Sequence, residues 1–169
     1  MGETITKNRV FISIGSNLGD KKENCEKALA EIEKKGIATV LSVSRYYRTE
    51  PVDFKDQAWF VNAAACIETA LIPEVLLAKL KQIETELGTV SKSVRFGPRI
   101  IDIDILLYDA LVMDSKELII PHERMHERVF VLKPLCDINA ELIHPVLKLP
   151  VSTLLQNVDD EHQGIQLLE

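Results

Sequence analysis

Cysteine is scarce and badly placed for cross-linking: Cys25, Cys66 and Cys136 are odd in number, far apart and form no CxxC pair. That excludes a disulfide framework and a thiolate zinc site, and points to reduced thiols. Basic residues are outnumbered, with 20 Lys and Arg against 26 Asp and Glu, so the net charge is −6 and no general cationic face is available for a nucleic-acid backbone. No apolar run approaches the roughly 20 residues needed to span a bilayer, and the opening MGETITKNRV lacks the apolar core of a signal peptide. A soluble, cytoplasmic protein with neither membrane nor nucleic-acid partner is expected. Linkers rich in Gly and Ser, low-complexity tracts and internal repeats are absent too, which leaves one domain over residues 1–169.

What is present is a hydrophobic content of 46%, enough for one real core, with apolar segments that change period along the chain. Residues 10–14 form a short apolar strand stopped by Gly15. Asp20 with Glu23 three positions later predicts a capping box for a helix running to about Lys35, ended by Gly36. Residues 39–47 and 60–69 are rich in β-branched and aromatic types and are expected to pair antiparallel across the polar loop TEPVDFKDQ. Pro73 opens a second helix whose Leu76, Leu77, Leu80, Ile83, Glu84 and Leu87 fall on one stripe, with Gly88 closing it. A strand over 101–108, a short strand pair around Val112 and Ile119, and a last long helix after Pro121 complete the chain. The order β-α-β-β-α-β predicts an α+β fold: a ferredoxin-like antiparallel sheet with helices packed on one face and the other face open for a ligand.

The stretch IIDIDILLYD carries the clearest chemistry. Alternation along a strand puts Ile101, Ile103, Ile105 and Leu107 on one face and Asp102 and Asp104 on the other. The aspartates are then about 6.6 Å apart at Cα, a spacing from which two carboxylates can flank metals about 3.5 to 4 Å apart. Hard oxygen ligands favour magnesium. An ordinary solvated acidic face is the alternative, and two acids in a strand do not decide between them. Arg95 and Arg99 in the preceding RFGPR add planar, bidentate phosphate binders, so the phosphate reading is preferred to a surface salt-bridge cluster.

Two further motifs are weaker. IGSNLGD has the strand-glycine-helix order of a phosphate-cradling turn but lacks the P-loop lysine and serine, so Ser16, Asn17 and Asp20 are read as helix caps in a folding turn. His122-Glu123-Arg124-Met125-His126 satisfies the HExxH zinc-protease pattern, with His144 the only obvious third ligand. Pro121 immediately before His122 argues against both imidazoles lying on a formed helix.

The segments VFISIGSNLGD, YYRTEPVDFKDQAWFVNAA, RFGPRIIDIDILLYD and IPHERMHERVFVLKPL, in this order, resemble the signatures of the 6-hydroxymethyl-7,8-dihydropterin pyrophosphokinase family. The resemblance runs from about Val10 to Pro145. It implies a ferredoxin-like fold, ATP as diphosphate donor, two magnesium ions held by Asp102 and Asp104, and Arg95, Arg99, His122 and Arg128 around the nucleotide phosphates. It further implies that Phe60 and Phe130 stack on opposite faces of a pterin whose polar edge is read by Thr49, Asn62 and the backbone near Val52. Such roles suit flat rings and an amide that both donates and accepts. The chain departs from the family pattern at Thr89 and Ser91, where arginines are common and Lys92 or Arg95 could compensate, and at Phe96, where Trp is frequent. The rival readings are the HExxH zinc hydrolase and a non-enzymatic ligand-sensing module. Oligomeric state is not legible, and the acidic tail VDDEHQGIQLLE is expected to be a solvated terminus.

Overall fold

Strand β1 (Asn8–Ser16) leads into helix α1 (Lys21–Lys34), then β2 (Thr39–Val43), β3 (Tyr47–Thr49), β4 (Phe60–Thr69) and α2 (Pro73–Glu86). After these come β5 (Asp102–Tyr108), a small pair β6 (Met113–Asp114) and β7 (Ile119–Ile120), a 3-10 turn (Met125–Glu127), α3 (Val129–Asn139), α4 (Val151–Asn157) and β8 (Ile165–Leu167). This computed structural model describes residues 2–88 and 98–169. Arg95 and the departures at Thr89, Ser91, Lys92 and Phe96 lie outside the described residues. The main sheet runs β5-β1-β4-β3-β8 with β2 also paired to β4, and its pairings are antiparallel. The result is an α+β fold.

The local signals explain the starts and stops. Asp20 caps α1 by accepting from the Glu23 N–H at 3.1 Å, and Gly36 follows the helix with φ at 67°, a conformation that suits glycine. Ser16 and Asn17 do not cap that helix: Ser16 Oγ donates to Leu18 O, and Asn17 is engaged elsewhere. The expected strand over 39–47 is two strands. Ser44 breaks it, its Oγ accepting the Ala64 N–H at 2.8 Å and donating to Arg45 O at 2.7 Å, so the chain steps out of register between β2 and β3.

Both faces of the sheet are covered, which corrects the expectation of helices on one face only. Val10, Ile12 and Ile14 of β1 pack with Cys25, Leu29 and Ile32 of α1 and Leu76, Leu80 and Ile83 of α2. The alternate residue Phe11 packs with Ala64 and Cys66 of β4 and with Val131, Leu132 and Leu135 of α3, alongside Leu154 of α4. The physical reason is alternation: β1 and β4 are apolar at both parities near Phe11 and Cys66, and that second apolar strip has to be buried. A register shift also moves Leu107. Phe11 pairs with Leu107 but Ile12 with Ile105, so Leu106 is an extra residue, and Leu106 and Leu107 both join the second core while Ile101, Ile103 and Ile105 stay in the first.

The end of the chain departs further from expectation. Pro121 does not start a helix: the His122 N–H donates to Leu106 O at 2.9 Å, which ties the segment to β5, and α3 begins only at Val129. The tail is not merely solvated, because Ile165–Leu167 forms β8 against β3.

Burial makes one prediction about the thiols. Cys25 is fully enclosed and its pKa is pushed up to about 12 by burial, with Glu26 adding to the effect. At pH 8 its thiolate is negligible, whereas Cys136 is half-buried. A thiol-reactive aromatic disulfide should therefore label Cys136 first in the native protein and reach Cys25 only on unfolding. Equal native labelling rates at the two positions, followed by mass spectrometry, would contradict this packing.

Candidate active site

Beyond the rows covered by α3, the second face of the sheet turns polar. Cross-strand register puts Ser13 between Ala64 and Asp104, and Gly15 between Asn62 and Asp102. The strands thus change from a packed wall to a ligand-facing wall within two residues. A cavity of about 580 Å³ opens there, lined by Asp102, Asp104, Arg99, His122 and Arg128 and also by Thr49, Val52, Phe60, Asn62 and Phe130. All the site residues expected from the sequence, apart from Arg95, which lies outside the described residues, meet in this one cavity.

At the pocket's amide end, Asn62 is buried and donates from Nδ2 to Thr49 Oγ1 at 2.6 Å. This bond fixes the amide orientation across β3 and β4. Gly15 lies directly opposite on β1, and a Cβ there would run into Asn62 Oδ1 well inside van der Waals contact. Glycine is therefore required for Asn62 to keep its place. Phe60 at the start of β4 and Phe130 in the first turn of α3 are both partly exposed to the cavity, and the Arg128 guanidinium lies 5.5 Å from the Phe130 ring centroid.

At the acidic end, the Asp102 and Asp104 side chains are 31% and 34% exposed, so both carboxylates reach the cavity. Arg99 is buried and its Nη1 lies 3.6 Å from Asp102 Oδ1. Its backbone is locked by Asn17, which accepts the Arg99 N–H on Oδ1 at 2.8 Å and donates its own N–H to Arg99 O at 3.1 Å. Asn17 Nδ2 also donates to Gln57 Oε1 at 2.8 Å and to Ala58 O at 3.2 Å, joining the arginine to the loop that follows β3. That loop is tied again at Asp53, whose carboxylate lies 3.0 Å from Arg124 Nη1 and 3.5 Å from Arg128 Nη2.

Electrostatics follow from this crowding. Burial, together with the neighbouring Asp102, raises the Asp104 pKa above the usual carboxylate range despite Lys81, His122 and Arg128 nearby. Burial holds His122 below its ordinary value, although Asp104 pulls the other way, so the imidazole is neutral at pH 7. Its Nδ1 accepts the Arg124 N–H at 3.1 Å, which assigns the proton to Nε2. Burial and Arg124 lower Arg128, and Arg128 Nε is enclosed with no hydrogen-bond partner among the described residues. Arg128 also lines the cavity, where the ends of its guanidinium can meet an anion.

The zinc-protease reading fails here. Of the motif only Met125 and His126 are helical, within the 3-10 turn Met125–Glu127, and His122 lies before it. His144 Nδ1 accepts the Leu147 and Val146 N–H groups, a structural role. Among the described residues no three His, Cys, Asp or Glu side chains gather as a metal cage.

Sequence reasoning missed Gly15, Asn17, Asp53, Lys81 and Glu84 as parts of the site. Glu84 carried a visible signal, a carboxylate inside an apolar stripe; the others signal only through tertiary contact.

Fold and site together define an α+β domain with a polar, charged cavity on its antiparallel sheet. Residues 11–140 match the model of the 7,8-dihydro-6-hydroxymethylpterin-pyrophosphokinase family, and the chain belongs to that family. It is 45% identical over 131 residues to the 2-amino-4-hydroxy-6-hydroxymethyldihydropteridine pyrophosphokinase of Bacillus subtilis, covering 78% of each chain. It is also 45% identical over 157 residues to the folic acid synthesis protein fol1 of Pneumocystis carinii, covering 93% of this chain but 21% of that protein. The chain thus spans about a fifth of the length of the fol1 proteins it matches. The crystal structure of wild-type Plasmodium falciparum HPPK-DHPS with pteroate superposes with a TM-score of 0.70 over 92% of this chain and 43% of that one, at 16% identity, a likeness of fold. No helix among the described residues is long and apolar enough to cross a membrane.

Proposed function

We propose that residues 1–169 form one pyrophosphokinase domain that transfers the β,γ-diphosphate of ATP to the hydroxymethyl oxygen of 6-hydroxymethyl-7,8-dihydropterin, releasing AMP. The observation that carries this reading is the meeting of an amide-and-aromatic pocket with an acidic and cationic one in a single cavity of about 580 Å³. The strand order β5-β1-β4-β2, with α1 and α2 on one face, supports a ferredoxin-like core to which α3 and α4 are added. Reduced thiols and the charge of −6 favour a cytoplasmic enzyme with small-molecule partners and no nucleic acid.

In this reading Asn62 and Thr49, with backbone near Val52, hydrogen-bond the pterin edge while Phe60 and Phe130 stack on its faces. Arg99, Arg128 and His122, with Arg95, hold the phosphates. The residues fit magnesium: two carboxylates on one rigid strand, both reaching the cavity and, among the described residues, not part of a closed cage of three or more protein ligands, leave the remaining positions to phosphate oxygens and water. Asp102 and Asp104 would hold it, with two ions expected; when bound it neutralises phosphate charge and makes the β-phosphorus a better electrophile. The chain's own contribution is positioning. The Asn62 end fixes the acceptor oxygen, the arginines fix the chain of phosphates, and the neutral His122 offers an Nε2–H to a phosphate oxygen. Phosphorus NMR of the products tests this: AMP with a pterin diphosphate is expected, and ADP with a pterin monophosphate would overturn it.

Phe130→Ala separates the two subsites. Loss of one stacking partner should weaken pterin binding by roughly tenfold or more while leaving MgATP binding almost unchanged. Calorimetry with each ligand, on a variant shown by thermal unfolding to be folded, checks this. Equal weakening of both ligands would make Phe130 a packing residue.

A further inference from the structure

Helix α2 lays a charged pair against β5, the terminal strand of the main sheet. Glu84 is buried, and its Oε1 accepts the Ile103 N–H at 2.7 Å. Lys81 Nζ donates to the same Oε1 at 2.9 Å and to Ile103 O at 3.0 Å. The two side chains therefore satisfy both polar groups of the residue that separates the aspartates, as a neighbouring strand would. From this fixed position the ammonium stands 3.9 Å from Asp102 Oδ1 and 4.0 Å from Asp104 Oδ1. Those separations are too long for hydrogen bonds but well within the range of strong charge interaction.

We propose that Lys81 is a resident counter-ion of the aspartate pair, which steadies Asp102 and Asp104 in the metal-free domain and opposes the entry of a bare divalent cation. The inference rests on the reading of Asp102 and Asp104 as the magnesium holders. Lys81 cannot simply swing away, because its short bonds run to Glu84 and to backbone rather than to the aspartates. A divalent ion settling between the carboxylates meets a positive charge held beside them, whereas one carried in by a polyphosphate brings negative charge that offsets it. Lys81 thus makes the site select a metal–nucleotide complex over free metal.

Manganese binding to the nucleotide-free protein, followed by electron paramagnetic resonance, tests this without recourse to turnover. Lys81→Gln should bind Mn²⁺ roughly tenfold more tightly than the native chain, because a full charge close to a divalent ion is removed. Its metal-free melting temperature should fall, because three carboxylates lose their cation. This pairing of tighter metal with lower stability is not what a merely structural lysine would show. Lys81→Met, which keeps the packed stem, serves the same measurement if the glutamine variant does not fold. Unchanged or weaker Mn²⁺ affinity in the folded variant would overturn the proposal. Asp104→Asn should lose Mn²⁺; native affinity there would remove the metal reading beneath it.

Discussion

Asp104→Ala should lower turnover by at least about 100-fold at saturating magnesium while leaving pterin affinity close to native, and Asp102→Ala should do the same. The division follows from geometry. Both carboxylates reach the cavity from β5, with Gly15 of β1 between Asp102 and Asn62, and their charged partners are Lys81 and Arg99 rather than the Asn62–Thr49 pair. An interaction that strengthens only as charge moves on the phosphates appears in kcat, whereas the ring's own contacts appear in its binding constant. Steady-state kinetics across a magnesium titration, with pterin calorimetry on the same preparation, reads both quantities. Turnover within a fewfold of native at high magnesium in either variant would reject the metal role.

Gly15→Ala should weaken pterin binding by about 30- to 100-fold and spare MgATP binding. A methyl group at this position occupies the place of Asn62 Oδ1, and the amide has to swing out of its bond to Thr49 Oγ1. The pterin edge then meets an unpaired polar group where it had a matched donor and acceptor, a loss of the kind that costs about 1–3 kcal/mol per buried group. Gly15 pairs with Asn62 on one side and Asp102 on the other, so the insult could reach the acidic end. The register separates the two: the added atom is directed at Asn62, with Phe60 the other side chain near it. Calorimetry with the pterin and with a non-hydrolysable ATP analogue distinguishes them. Parallel loss of both ligands would mean the strand itself had shifted.

The core elements and most of the residues of the candidate site were legible in the sequence, some through local pattern and the rest through the family resemblance. Alternation in 101–108 put Asp102 and Asp104 together, the Asp20–Glu23 signature marked the first helix, and the resemblance to the pyrophosphokinase family named Thr49, Val52, Phe60, Asn62, Phe130, Arg99, His122 and Arg128, which the structure gathers around one cavity. HExxH looked like zinc chemistry by the same local rules and lacks its helix, because a pattern counts residues and cannot see that His122 is drawn to Leu106 and excluded from any helix.

By itself, the sequence determined which residue types stand at which spacing, and hence the alternating strands, the helix ends and the family. Only the tertiary structure decided that α3 and α4 cover part of the second face, that Leu106 shifts the alternation, that the tail pairs with β3, and that Gly15, Asn17 and Lys81 stand against residues of the candidate site. Each of these depends on groups distant in the chain: Asn17 meets Arg99 82 positions later, and the glycine is needed because of an amide on the next strand. Local propensity carries no information about such partners, since their free energy arises only when burial brings polar groups together and each must find its match.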